Sequence, residues 1–144
     1  QPVYDMAAAQ GAETVLISAQ IEEEISQLES EESTMFLHDM GLKEAGLDRL
    51  IRAGYKLLEL ETYFTVGPKE ARAWTIKGGT YAPQAAGVIH SDFERGFIRA
   101  ETIAYADYVA FQGEQKSKEA GKMRVEGKSY VVKDGDVLHF LFNA

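Results

Sequence analysis

The period of the apolar residues changes once along this chain, near Leu60, and that change restricts what the chain can fold into. From Glu44 onward, Leu47, Leu50, Ile51, Tyr55 and Leu58 recur at helical spacing with Asp48, Arg49, Arg52 and Lys56 between them, which predicts an amphipathic helix. Beyond Leu60 the pattern alternates: Tyr63 and Thr65 point one way and Phe64 and Val66 the other. Gly67-Pro68 then gives a turn, and Ala71 to Ile76 alternates again, so the pair reads as a β-hairpin. Thr80 is expected to cap a helix running to Ile89, with Pro83 in its first turn, where a missing N–H costs little. After Gly96 a strand is predicted over Phe97 to Ile103, followed by two helical pieces within residues 105–121, broken at Gly113. The end reads as a meander, Met123 to Val125, Ser129 to Val132 and Val137 to Phe142, with turns at Glu126-Gly127-Lys128 and Asp134-Gly135-Asp136.

Hairpin, helix, strand, short helices and returning strands is the β-grasp order, an α+β fold. A helix across one face of such a sheet leaves alternate strand residues wet. The front of the chain is of another kind. Residues 3–9 have helical composition and Gly11 is a stop signal, while Val15, Leu16 and Ile17 suit a strand buried on both faces. Ser18 caps a predicted helix with Glu22, Glu23 and Glu24 in its first turn and Ile25 and Leu28 facing inward. Helix, buried strand, helix is a fragment of a doubly wound α/β domain. Glu29 to Ser33 reads as a solvated connection, and Met35, Phe36, Leu37 and Met40 as a short helix ended by Gly41.

The 144 residues carry a net charge of -8, which argues against a polyanionic partner until the charge is located. Residues 1–62 hold four Lys/Arg against thirteen Asp/Glu, and residues 63–144 eleven against ten. The acidity belongs to the front, and a near-neutral remainder still has room for a basic face. No cysteine is present, which excludes disulfides and thiolate chemistry, fits a reducing compartment, and makes the cytoplasm the expected location. No apolar run approaches the roughly 20 residues a membrane span requires. Because the first residue is Gln1 and nothing like a signal peptide follows, the start is expected to lie inside a longer chain.

The stretches Ala73-Trp74-Thr75-Ile76, Ala82-Pro83-Gln84-Ala85-Ala86-Gly87-Val88-Ile89-His90, Phe97-Ile98-Arg99-Ala100-Glu101 and Asp134-Gly135-Asp136-Val137 resemble the TGS domain of the YchF/Obg-like ATPase family. The resemblance covers roughly residues 36–143, far more than a short motif. It implies residues 1–32 as the end of a P-loop nucleotide-binding domain, 33–60 as linking helices and 61–144 as a β-grasp TGS domain. It further implies a base-contacting element at Ser18-Ala19-Gln20, ATP or GTP with Mg²⁺ in the intact protein, and the ribosome or its RNA as partner. The departure is that no G-x-x-x-x-G-K-[ST] occurs, so these residues alone are expected to be inactive toward nucleotide. The rival implication is a protein-interaction module that relays nucleotide state without touching RNA. The orphaned strand Val15–Ile17 is expected to refold, disorder or exchange between chains.

Candidate RNA-contacting cations fall into two groups. Lys116, Lys118 and Lys122 are spaced to share one helix face, with Lys128 and Lys133 nearby in the meander, though Glu114 and Glu119 make a plain solvated helix an equal reading. Lys69, Arg72, Lys77, Arg95 and Arg99 lie around the hairpin and third strand, and alternation puts Arg99 on one face with Phe97 and Glu101. Trp74 shares a side with Arg72 and Ile76 and reads as core, with base stacking as the alternative. His38, His90 and His139 are isolated, which disfavours a metal site; His90 is a candidate for a phosphate contact, although a structural role is the better reading. Asp134-Gly135-Asp136 lacks the spaced ligands of a calcium loop, and the glutamates of 22–32 read as a solvated face.

Overall fold

The computed structural model describes residues 2–143, which divide into one compact unit ending at Leu58 and a second beginning at Glu59. The first unit holds four helices: α1 (Pro2–Ala9), α2 (Ala19–Ser26), α3 (Ser30–Asp39) and α4 (Gly46–Leu57). The Ser18 cap forms as expected, its Oγ accepting from the Ile21 N–H at 3.4 Å. Two expectations change. Val15 to Ile17 is not a strand, since no neighbouring strand exists among the described residues of this unit. Leu16 and Ile17 are 68% and 38% exposed, and the Leu16 carbonyl accepts from the Arg49 guanidinium at 3.0 Å. The Glu29 to Ser33 tract is not a connection either. It opens α3, where the Glu32 carboxylate accepts from the Glu29 N–H and negative charge meets the free amides of the first turn.

The amphipathic helix predicted from Glu44 is α4, and its start is fixed from a distance. Glu22, on α2, accepts from the Gly46 N–H at 2.7 Å and the Leu47 N–H at 3.1 Å, so a side chain from another helix satisfies two of the orphan donors of α4. The apolar stripe that announced this helix is not buried: Leu47, Leu50, Ile51 and Leu58 are exposed.

The second unit is built on a five-stranded mixed sheet. β1 (Leu60–Val66) and β2 (Ala71–Lys77) form the predicted hairpin, with register running from Leu60↔Lys77 to Val66↔Ala71. α5 (Ala82–Ile89) and α6 (Ser91–Arg95) follow, then β3 (Phe97–Ala104), α7 (Tyr105–Ala110), α8 (Glu114–Glu119), β4 (Arg124–Glu126) and β5 (Asp136–Phe142). The strand order is β2-β1-β5-β3-β4, with β5 parallel to β1 and every other pairing antiparallel. The break at Gly113 falls where expected, between α7 and α8.

One face of the sheet packs on α5. The alanines Ala82, Ala85 and Ala86 are fully buried, and their small side chains let the helix axis lie close to Tyr63, Ile76, Ala100, Leu138 and Phe140. Tyr63, itself fully buried, donates its hydroxyl to the Ala85 carbonyl at 2.8 Å, and burial pushes its phenol pKa up. The other face is left partly open. Ala71, Ala73, Thr75 and Lys77 of β2 are exposed, the alternation that a one-sided sheet predicts.

Local corrections follow from hydrogen bonding. Thr80 does not cap α5, because its hydroxyl closes the preceding turn on the Lys77 carbonyl at 2.6 Å; Tyr81 takes the cap position. Ser129 to Val132 is not a sheet strand. It pairs with the turn before α5 through Ala82 N–H to the Tyr130 carbonyl and Val132 N–H to the Thr80 carbonyl. In β3 the register shifts between Phe97 and Arg99, so a bulge at Ile98 turns Phe97 into the core while Arg99 pairs with Leu141. Arg99 and Phe97 therefore lie on opposite faces.

Candidate functional site

In the first unit, Ser18 has its hydroxyl committed to the α2 cap and Gln20 donates its side-chain amide to Glu24 at 3.2 Å. Ala19 opens α2. These three residues supply no cradle for a phosphate chain, and among the described residues no three His, Asp or Glu side chains group to hold a metal ion. A nucleotide triphosphate with its cation does not fit the residues present.

The cations of the second unit do not converge on one patch. Arg72 faces the helix side of the sheet, its guanidinium 5.4 Å from the Trp74 ring centre and 3.4 Å from the Glu70 carboxylate, with Lys69 in the adjoining turn. Lys77 projects from the other side of β2, at the end paired with Leu60. Arg99 lies on the open face beside Glu101 and the exposed His139. Arg95 is tied up by Asp92, whose carboxyl the guanidinium holds below its usual range. His90 is a cap: its Nδ1 accepts from the Asp92 N–H at 3.1 Å and starts α6, the structural reading of that residue.

The expected lysine face is also absent. Lys116 and Lys118 are two positions apart on α8 and so point to different sides, and because α8 stops at Glu119, Lys122 lies past the Gly121 turn. Lys116 donates to Gln112 at 3.0 Å and Lys122 pairs with Asp107 at 3.5 Å. Lys128 is exposed in the turn after β4.

Two constellations were not foreseen. The first is a slot of about 330 Å³ at the turn end of the hairpin, lined by Thr65, Arg72, Trp74, Ile89, Phe93 and Phe140 among others. β1 and β5 pair only at Phe64↔Val137, and the slot lies beside the stretch where they run on unpaired. The Trp74 indole N–H donates to Thr65 Oγ1 at 2.8 Å, which fixes the ring; Phe93 stacks on Phe142 with centroids 3.9 Å apart. Writing out the hairpin register would have found this site, since Tyr63↔Trp74 and Thr65↔Arg72 place Thr65, Arg72 and Trp74 on one side.

The second is a polar knot at the other end of the sheet. Tyr130 donates to Asp136 at 2.6 Å and receives an Arg124 N–H at 3.1 Å, while the Lys133 N–H reaches the same carboxylate at 3.0 Å. Asp136 is 3% exposed. Burial and the bond to Asp136 together push the Tyr130 phenol up to about 12. Lys122, Arg124 and Lys133 then rim a cavity of about 370 Å³, but Asp107, Asp134 and Asp136 line it too and cancel their charge. The four residues of the knot, Arg124, Tyr130, Lys133 and Asp136, lie within 124–136, and it is the path of the chain between β4 and β5 that closes them on one another.

The family model YchF-GTPase_C, described as a protein of unknown function (DUF933), matches residues 60–143. The chain is 59% identical over 141 residues to the ribosome-binding ATPase YchF of Escherichia coli O157:H7, covering 98% of this chain and 39% of that protein. It is likewise 59% identical over 141 residues to the ribosome-binding ATPase YchF of Bacillus subtilis, covering 98% of this chain and 38% of the relative. The fold is similar to the Schizosaccharomyces pombe YchF GTPase with a TM-score of 0.79 and 38% identity, over 91% of this chain and 34% of that one. The chain thus spans about two-fifths of the length of the curated relatives it matches.

Proposed function

The chain belongs to the YchF family, whose C-terminal domain it contains, and from that premise we propose that it is the region by which a nucleotide-hydrolysing protein of the family docks onto the ribosome or its RNA. We read the second unit as a TGS-type β-grasp, because a hairpin, one crossing helix and a returning parallel strand at the sheet centre are the parts of that fold. On this reading residues 1–32 close a nucleotide domain, 33–60 link, and 61–144 dock. In a protein of the relatives' length, working in the cytoplasm, Ser18-Ala19-Gln20 contacts the base of ATP or GTP held with Mg²⁺ by residues outside this chain. The observation that carries the proposal is the near-complete match to relatives named for binding the ribosome. Exposed cations without a carboxylate partner among the described residues, Lys69, Lys77, Arg99, Lys118 and Lys128, support it.

The test is co-sedimentation of this chain with ribosomes at about 50 and about 200 mM salt, a range over which phosphate contacts lose affinity steeply. Association at the lower salt, lost at the higher and weakened by Lys69→Glu with Arg99→Glu, is the expected result. Failure to sediment at low salt, where a full-length relative does, counts against the proposal. Binding that resists both salt and charge reversal favours instead a module that contacts protein and relays nucleotide state.

A further inference from the structure

We infer that the slot beside Trp74 takes one unstacked base of a single-stranded RNA segment, a subsite that rests on the docking role proposed above. The chemistry of its walls sets the class of ligand. Trp74, Phe93, Ile89 and Phe140 give an apolar, largely aromatic lining, and the volume of about 330 Å³ is that of a small-ligand pocket. The Thr65 hydroxyl holds the indole by its N–H, and the Arg72 guanidinium lies over the ring, so the aromatic surface is oriented before any ligand arrives. A flat π-faced group fits such a lining whichever base carries it, and a neighbouring arginine adds a cation–π contribution.

Charge distinguishes a base from an aromatic side chain of a protein. Arg72 on the rim is paired with Glu70, and Lys69, exposed in the turn between the lining residues Gly67 and Glu70, leaves one cation in excess beside the mouth of the apolar slot. A base enters tethered to phosphates, which a cation beside the mouth attracts and an uncharged aromatic side chain lacks. The Thr65 hydroxyl offers a polar edge at the opening.

Trp74 is the only tryptophan in the sequence, so its emission reports on this slot alone. The chain is titrated with short oligoadenylate, short oligouridylate and an abasic ribose-phosphate strand of equal length, with filter retention as a second, fluorescence-independent readout. Both base-bearing strands are expected to change Trp74 emission saturably while the abasic strand does not. Arg72→Ala, at an exposed position, should fold normally and weaken the base-dependent component by roughly tenfold, within the worth of one stacked base. Equal binding of abasic and base-bearing strands overturns the subsite, as does RNA retained on filters with Trp74 emission unchanged; in both cases RNA docking itself stands. An aromatic peptide that competes better than either RNA overturns it in favour of a protein ligand. Retention of no strand at all removes the RNA reading together with the subsite.

Discussion

At Gly96 the absence of a side chain is a packing requirement. A Cβ there would collide with the Asn143 carbonyl oxygen, and that obstacle is backbone, held by the Asn143 N–H donating to the Gly96 carbonyl at 2.9 Å. Gly96→Ala must therefore push the end of β5 away from β3, and a loss of about 1–3 kcal/mol, the usual cost of overpacking, is expected in urea denaturation. Tyr130 makes a pH prediction at the same scale. An unfolded tyrosine titrates near pH 10. In the folded chain burial and the Asp136 carboxylate push Tyr130 up to about 12, so between those values the unfolded state has lost a proton that the folded state keeps. The unfolded state binds fewer protons there, and stability must fall as pH rises through that window. Tyr63 shifts in the same direction, so Tyr130→Phe should flatten the decline without abolishing it. The variant starts lower at neutral pH, because Asp136 loses a hydrogen bond, and denaturation midpoints measured across the alkaline range separate the two effects.

Among the elements, what was legible in the sequence was whatever depends on local pattern. The hairpin, α4, β3, the break at Gly113 and the central strand β5 follow from periodicity and turn residues, which act over a few positions. What failed depends on partners. Val15–Ile17 has a strand's composition and no strand to pair with. Ser129–Val132 finds its hydrogen bonds at the turn before α5, and the Ile98 bulge that reverses Arg99 is set by the register against β5. The scattering of the candidate cations has the same origin, because shared faces were deduced from spacing while α8 stops after six residues. The tie between Glu22 and the start of α4 was illegible for another reason: it joins residues 24 apart in sequence. Glu22→Ala should cost about 1 kcal/mol, the typical worth of a helix cap, and speed amide exchange at Gly46 and Leu47. Glu22→Gln, which keeps one acceptor oxygen, should lose less. The exposed stripe of α4 gives a further test. Leu50 and Ile51 are 47% and 51% exposed, so replacing both by Glu should leave stability within about 0.5 kcal/mol while reducing binding of an apolar dye. A loss of several kcal/mol would mean that the stripe is buried in solution.

For the whole molecule, the two units differ in what holds them together. The second has a continuous core, with Tyr63, Leu138, Val132 and the α5 alanines at 2% exposure or less, whereas the first has Gly46 as the only buried residue of its four helices. Hydrophobic burial is the main favourable term in folding, so the second unit should carry most of the stability and the first should open at lower free energy. The probes needed to see this are built in. Trp74 emission follows only the second unit, while far-UV circular dichroism also follows the helices α1 to α4. Urea should therefore produce a loss of helical signal before the Trp74 transition, and a chain comprising residues 59–144 should unfold cooperatively at nearly the same Trp74 midpoint as the full chain. Coincident transitions by both probes, with the excised segment unfolded in buffer, would mean that the sheet depends on the helices that precede it and that its own core is too small to stand alone.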